Sequence, residues 1–308
     1  MTLFLNKYSS FNNSIIDVVS KIPFNDSDYV PQGICYAEGY YFLTMYDYTK
    51  KNNSIIYIFK GKEIVKKIYL DNMYHCGGIS YYEPSKSIFI TGKGIKNHSY
   101  VQKYDINCLL SEFNDKVVES SNIYEVDNDN TLYSSTAKHS SPAYLTCFEN
   151  NLYVGNYCTS SDIDKCFIKK FKILSDGSLS KSFDVLKNPF SNTQSICVFK
   201  KNGETLYLFS RSFGRKRNSL IHVCRFINNE FNIISTMVLP AMLEQVSISE
   251  DNFVLIFESG SKIFRSSAIT VNDEIYLVKF DDILNCNDNY KDFCRGTSLF
   301  IRNSKLKY

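Results

Sequence analysis

The sequence predicts an all-β chain, a single five-bladed β-propeller of antiparallel four-stranded blades. Three observations carry this: a recurring apolar segment, a fixed order of strands after it, and a composition suited to sheet. The recurring segment reads PQGICY at residue 31, CGGISY at 76, PAYLTC at 142, TQSICV at 193 and LEQVSI at 243, with starts 45, 66, 51 and 50 residues apart. A turn and a second apolar strand follow each copy: YYFLTMYD, SIFITGK, NLYVGNY, TLYLFSRS and NFVLIFES. A loop and a third strand come next: SIIYIF, SYVQKYDI, CFIKKFKI, SLIHVCRF and EIYLVKF. A unit of this length matches one propeller blade, whose sheet buries both faces only when neighbouring blades stack on it. The 308 residues are 44% hydrophobic and 15% aromatic, with 23 Tyr, 23 Phe and no Trp, which is ample for a core and rich in strand formers.

In chain order, residues 1–29 form a terminal or closing segment, within which NNSIIDVVSKI (12–22) reads either as a helix or as a closing strand. Five blades follow over 30–71, 72–140, 141–188, 189–238 and 239–284, with 285–308 a second terminal segment, all in one domain. Pro31, Pro142, Pro189 and Pro240 sit just ahead of first strands, where a missing N–H breaks no ladder. The position Cys35, Ser80, Thr146, Cys197, Ser247 is small in every blade, as the crowded inner strand requires. INCLLSEF (106–113) reads as a short helix, and 112–141 as a long polar loop with room for one strand, placed to cover the channel.

Several function classes are excluded. Lys and Arg total 35 against 32 Asp and Glu, and GRKR at 214–217 is too short for a basic stripe, so no nucleic acid partner is expected. No run approaches the roughly 20 apolar residues of a membrane span, and no signal peptide is read, so the chain is expected in the cytoplasm, or secreted if a leader has been removed. No G-x-S-x-G elbow, G-x-G-x-x-G or Walker sequence occurs, and no cofactor is expected. Six cysteines (Cys35, Cys76, Cys108, Cys147, Cys197, Cys224) lie in or beside apolar stretches and read as structural. The other four form two Cys-x7-Cys loops, 158–166 and 286–294, able to close disulfides in an oxidising compartment. Neither has zinc-site spacing, and with four His in the chain no metal is expected.

In a blade, the loop before the first strand and the loop joining the second to the third lie at one end of the axis. Gln32, Gly77, Ala143, Gln194 and Glu244 therefore align at one rim, three of them polar. The second strands bring Tyr46, Asp47, Tyr157, Arg211, Arg215 and Glu258 to the same rim, and His75 precedes two glycines there. Arg forks suit carboxylates and phosphates, whereas Lys216 and Arg217 read as a solvated turn. Gln and Glu at a channel mouth also serve simply to satisfy backbone groups of the next blade, and His75 to satisfy a core carbonyl.

VPQG, HCGG, SRSFGR…SLI, LPAMLE and FESG resemble a family of bacterial β-propeller proteins with PQG, HxGG, SxSxGR, LPxMxE and FESG motifs, over roughly residues 30 to 280. The resemblance implies the fold and makes Arg215 a motif residue; it implies no activity. Phe213 stands where the family has Tyr, which removes a hydroxyl.

Three functions stay open. The first is a pocket for a small anionic or sugar-like ligand, built from Gln32, His75, Gln194, Arg211, Arg215, Glu244, Glu258, Tyr46 and Tyr157. The second is a carbohydrate-active hydrolase or lyase using Glu244 and Glu258, with Asp47 and His75 as further acid–base candidates. It requires carboxyls about 5 Å or about 6.5–9.5 Å apart. The third is a scaffold for a protein partner.

Overall fold

The computed structural model describes residues 8–24, 28–93, 99–126 and 142–289. In chain order, α1 (Ser9–Ser14) leads into β1 (Ile15–Lys21). The first blade is β2 (Tyr29–Ala37), β3 (Tyr40–Asp47), β4 (Ile55–Lys60) and β5 (Glu63–Leu70). The second is β6 (Ile79–Tyr82), β7 (Ser87–Lys93), β8 (Ser99–Asp105) and, after α2 (Ile106–Ser111) and β9 (Val117–Val118), β10 (Asn122–Glu125). The third is β11 (Pro142–Phe148), β12 (Asn151–Asn156), β13 (Phe167–Ile173) and β14 (Leu179–Lys187). The fourth is β15 (Thr193–Lys201), β16 (Glu204–Arg211), β17 (Ser219–Ile227) and β18 (Glu230–Leu239). The fifth has β19 (Leu243–Ser249), β20 (Asn252–Phe257) and, after α3 (Lys262–Arg265), β21 (Glu274–Lys279), followed by α4 (Phe280–Leu284). The chain is a five-bladed β-propeller.

The ring is closed by the N-terminal segment. β1 pairs antiparallel with β21, so the last blade takes its outermost strand from the start of the chain. The two readings of residues 12–22 both hold in part, with a helical turn over Ser9–Ser14 and strand from Ile15. Among its described residues, the long interval in the second blade holds two short strands, one more than the loop reading allowed: β10 edges that blade, while β9 runs parallel to β5 of the first. Residues 127–141 of that insertion and Cys294 lie outside the described residues.

Burial on both faces explains the unbroken apolar runs of the inner strands. In β4, Ile55, Tyr57 and Phe59 face the seam with the fifth blade, and Ile56 and Ile58 the seam with the second. In β16, Leu206 and Leu208 face the fifth blade and Tyr207 and Phe209 the third. Alternate residues thus feed alternate seams, and the five apolar clusters are the five seams. A Cβ on Gly78 would lie 2.5 Å from the backbone N of Leu145, so the HCGG glycines let the second blade's start abut β11. Cys108 departs from its structural reading: α2 sits on the surface and leaves it exposed.

At the axis, Gln245 joins three blades. Its Oε1 accepts from the N–H of Ile34 (3.2 Å) and of Ile79 (3.1 Å), and its Nε2 donates to the Ile79 carbonyl (2.7 Å). Gln245 is 2% exposed, so Gln245→Leu strands these backbone groups away from water. The expected loss is about 1–3 kcal/mol, read as a lowered urea midpoint with unchanged far-UV circular dichroism. Among the described residues, no helix is long and apolar enough to cross a membrane.

Candidate functional site: a buried carboxyl pair at the axis

The first strands of four blades begin with a β-bulge. Pairing with the second strand shifts between Pro31 and Gly33, Pro142 and Tyr144, Thr193 and Ser195, and Leu243 and Val246. The residue released from each ladder is Gln32, Ala143 or Gln194, and in the fifth blade Glu244 with Gln245. A bulge leaves its extra residue unpaired and re-aims the side chain, here toward the axis. Asn192 (φ 59°) and Met242 (φ 70°) hold left-handed backbone just ahead of two of these bulges. The Glu258 N–H donates to the Met242 carbonyl (3.1 Å), which brings the end of β20 beside the start of β19.

Glu244 and Glu258 are consequently hydrogen-bonded to one another, and each is held by a glutamine. Gln194 Nε2 donates to Glu244 Oε1 at 3.1 Å, and Gln32 Nε2 to Glu258 Oε2 at 3.2 Å. Gln32 also donates to the Pro31 carbonyl (3.0 Å), while its Oε1 is buried with no partner. Glu244 is 3% exposed; Glu258 is half-buried. Burial, then the neighbouring Glu258 charge, pushes the Glu244 carboxyl well above the usual range. Burial raises Glu258 to about 7, against the opposing pull of hydrogen bonds from Gln32 and Glu244 and of the Arg215 charge. Near neutral pH Glu244 carries the proton and donates it to Glu258, because two touching buried carboxylates repel.

Aromatic rings flank the pair. Burial first, then the Glu258 and Glu244 charges, raises the Tyr46 phenol, so it stays neutral. The His75 ring packs on Tyr46 with centroids 4.4 Å apart. His75 keeps solvent access although protein surrounds it densely, as expected at a channel mouth. That dense surround, with the Lys50 charge second, lowers its pKa and keeps the imidazole neutral. Tyr48 lies against Tyr46 (6.5 Å) and Phe264 (5.8 Å), and the Arg215 guanidinium sits 4.6 Å over the Phe264 ring. The turn at Gly214 (φ 82°) presents Arg215, whose Nη1 donates to Ser267 Oγ at 3.2 Å.

Three predicted residues have other work. Arg211 donates to the Ser191 carbonyl (2.9 Å), contacts His222 Nε2 (3.2 Å) and lies over Phe190 and Phe213, which pins it at the seam of the third and fourth blades. Tyr157 is 37% exposed, and its hydroxyl accepts from Asn192 Nδ2. Asp47 ties its own loop, accepting from the backbone and side chains of Thr49 and Asn52 and the backbone of Lys51. Burial raises its carboxyl, but these hydrogen bonds together outweigh burial and hold it low, unsuited to carry a proton.

Ser210, which the sequence places at the same rim without a role, supports the pair from behind. Its hydroxyl donates to the Glu244 carbonyl (2.7 Å) and shares a hydrogen bond with Ser195 (2.7 Å). Its position in the SRSFGR run was the available signal.

Two cavities, of about 560 and 270 Å³, open at the other end of the axis, where first and second strands turn. The smaller is ringed by the repeating position Cys35, Ser80, Thr146, Cys197 and Ser247. Phe148, Phe199 and Phe280 line the larger, with Lys200 and Lys201 paired to Glu149 (2.6 Å) and Asp281 (2.7 Å). These two cavities lie at the end of the axis away from the carboxyl pair, and the pair, with its orphaned acceptor, is the stronger candidate for function.

No protein-family model and no curated protein matches the chain. Among solved structures, glutaminyl cyclase from Myxococcus xanthus is similar with a TM-score of 0.53 at 8% identity, over 86% of this chain and 94% of that one. An α-L-arabinofuranosidase from Clostridium thermocellum has a TM-score of 0.48 at 10% identity, over 80% of this chain and 88% of that one. A β-fructofuranosidase from Bombyx mori has a TM-score of 0.42 at 13% identity, over 82% and 60%. The likeness is one of fold.

Proposed function

We propose that this propeller binds a sugar-like ligand at its axial face, through Glu258, Glu244, Gln32, Tyr46, His75 and Arg215. The observation that carries the reading is the proton-sharing carboxyl pair clamped between Gln32 and Gln194 beneath an aromatic rim. Sugar hydroxyls donate to the half-buried Glu258 carboxylate, and ring C–H faces pack on aromatic rings. An anion would approach a buried carboxylate, whose repulsion the Arg215 charge offsets in part, so the polyhydroxyl class is favoured over the anionic one.

The alternative is a carbohydrate-active hydrolase or lyase. A Glu258 near 7 has the acidity a general acid needs at neutral pH. Against it, the two carboxyls touch, which leaves no gap of about 5 Å or more for a sugar carbon or a water between them.

Calorimetric titration with neutral mono- and oligosaccharides, uronates, inorganic phosphate and an N-terminal glutaminyl peptide tests both. Binding of a neutral saccharide is expected, weakened roughly ten- to hundredfold in Glu258→Gln, the loss of one charge-assisted hydrogen bond. Binding of phosphate or uronate alone would overturn the ligand class. Turnover of a chromogenic glycoside that Glu258→Gln abolishes would establish the alternative.

A further inference from the structure

Cys158 and Cys166 are each 1% exposed, and their thiols are hydrogen-bonded to one another. They sit at the two ends of the loop that joins β12 to β13, just beyond the pair Gly155 and Ile168. Asn156 locks that end, its Nδ2 donating to the Lys165 carbonyl (2.9 Å) and its Oδ1 accepting from the Phe167 N–H (2.9 Å). The segment from the end of β14 to the start of β15 holds both cysteine backbones: Asn192 N–H donates to the Cys158 carbonyl (2.7 Å) and Asn188 N–H to the Cys166 carbonyl (3.1 Å). A disulfide forms without strain only where the backbones already hold the two sulfurs close, and this frame does so.

We propose that Cys158 and Cys166 are a reversible dithiol–disulfide site whose oxidant is a low-molecular-weight disulfide such as oxidised glutathione. The neighbours distinguish the two sulfurs. The hydrogen bond from Cys158 first, and the Arg211 charge, lower the Cys166 thiol against burial and Asp162, so Cys166 is the attacking thiolate. By contrast, burial pushes Cys197 and Cys224 up to about 12 and leaves them inert.

The residues between the pair, 159–165, are mostly exposed and form a short 3₁₀ turn kinked at Asp162, a lid that must lift to admit the oxidant. The Cys166 thiolate attacks one sulfur of oxidised glutathione, forming a mixed disulfide and expelling one glutathione thiolate. That thiolate, directly or through water, takes the Cys158 proton. The Cys158 thiolate then attacks the Cys166 sulfur and expels the second glutathione, which is protonated by solvent. One disulfide is reduced and one is formed, so the electrons balance.

Full-length protein is incubated with oxidised glutathione, alkylated, digested without reductant and mapped by mass spectrometry. The expected product is a peptide pair joined between Cys158 and Cys166, reversed by reduced glutathione and accompanied by a rise in Tm of roughly 5 °C. Cys158→Ser should instead trap glutathione on Cys166, and Cys166→Ser should give no adduct at Cys158. Exposed Cys108 reports that the oxidant acted. Glutathione on Cys108 with Cys158 and Cys166 both recovered as alkylated thiols would overturn the proposal, as would either cysteine linked to a different partner.

Discussion

A chain beginning at residue 23 is expected to lose the single cooperative melt of the full protein and to aggregate on size exclusion. The deletion removes the outer strand of the fifth blade, so β21 becomes an open edge with unpaired N–H and C=O groups, a template for self-association. It also withdraws buried residues from two seams: Phe11 from the fourth–fifth seam, and Val19 and Ile22 from the fifth–first seam. The graded form of the same test is Phe11→Ala. Phe11 is 2% exposed and packs edge-on against Tyr276 (5.6 Å) and Phe257 (5.9 Å). Truncating a buried phenylalanine costs about 3–5 kcal/mol. At roughly 2–4 °C per kcal/mol, its Tm should fall by about 6 °C or more in a circular dichroism melt. If the shortened chain melted as sharply and as high as its parent, closure by β1 would contribute nothing to the ring.

What the sequence disclosed, and what it hid, divides by range. SIIYIF and TLYLF read as strands because a blade buries both faces, and the alignment of Gln32, Gln194 and Glu244 followed from the repeat alone. The closing strand was ambiguous because β1 is an edge strand with only Val19 fully buried, so IIDVVSK shows no clean period of two. Gln245 was invisible as a stitch, since its partners Ile34 and Ile79 belong to other blades. Arg211 read as a ligand arm for the same reason: Ser191, Phe190 and His222, which occupy it, meet it only in the fold. Asp47 is different. An Asp followed by Thr at the second position and Asn at the fifth is a local turn signature, so its loop-tying role was legible and was overlooked. Contact between Glu244 and Glu258 depends on the bulge in β19 and has no counterpart in residue spacing.

The carboxyl pair should also make the folded protein less stable as pH rises from 5 to 8. Both carboxyls have folded values raised above the ordinary 4.5, Glu258 to about 7. A raised folded value means that the native chain holds protons where the unfolded chain has released them. The stabilisation is therefore complete below pH 4.5 and is lost as pH climbs through 7. The sign is opposite for Asp47, Asp71 and Asp176, whose lowered carboxyls withdraw stability only as the solution turns acid. At about 1.4 kcal/mol per pKa unit, Glu258 alone loses on the order of 2 kcal/mol between pH 5 and pH 8, and Glu244 adds to that loss. His75 and His222, which burial lowers to about 4 and about 3, gain stability over the same range, so the pair is read as a difference: from pH 5 to pH 8 the urea midpoint of the wild type should fall relative to that of the double variant, with Glu244→Gln and Glu258→Gln in between. A double variant that tracks the wild type would mean that the pair does not hold its protons through neutrality. The same linkage bears on function. A ligand whose hydroxyls donate to the ionised pair offsets the cost of charging it, so the Tm rise produced by a bound saccharide should be larger at pH 8 than at pH 5. An anionic ligand, which needs the pair protonated, should show the reverse.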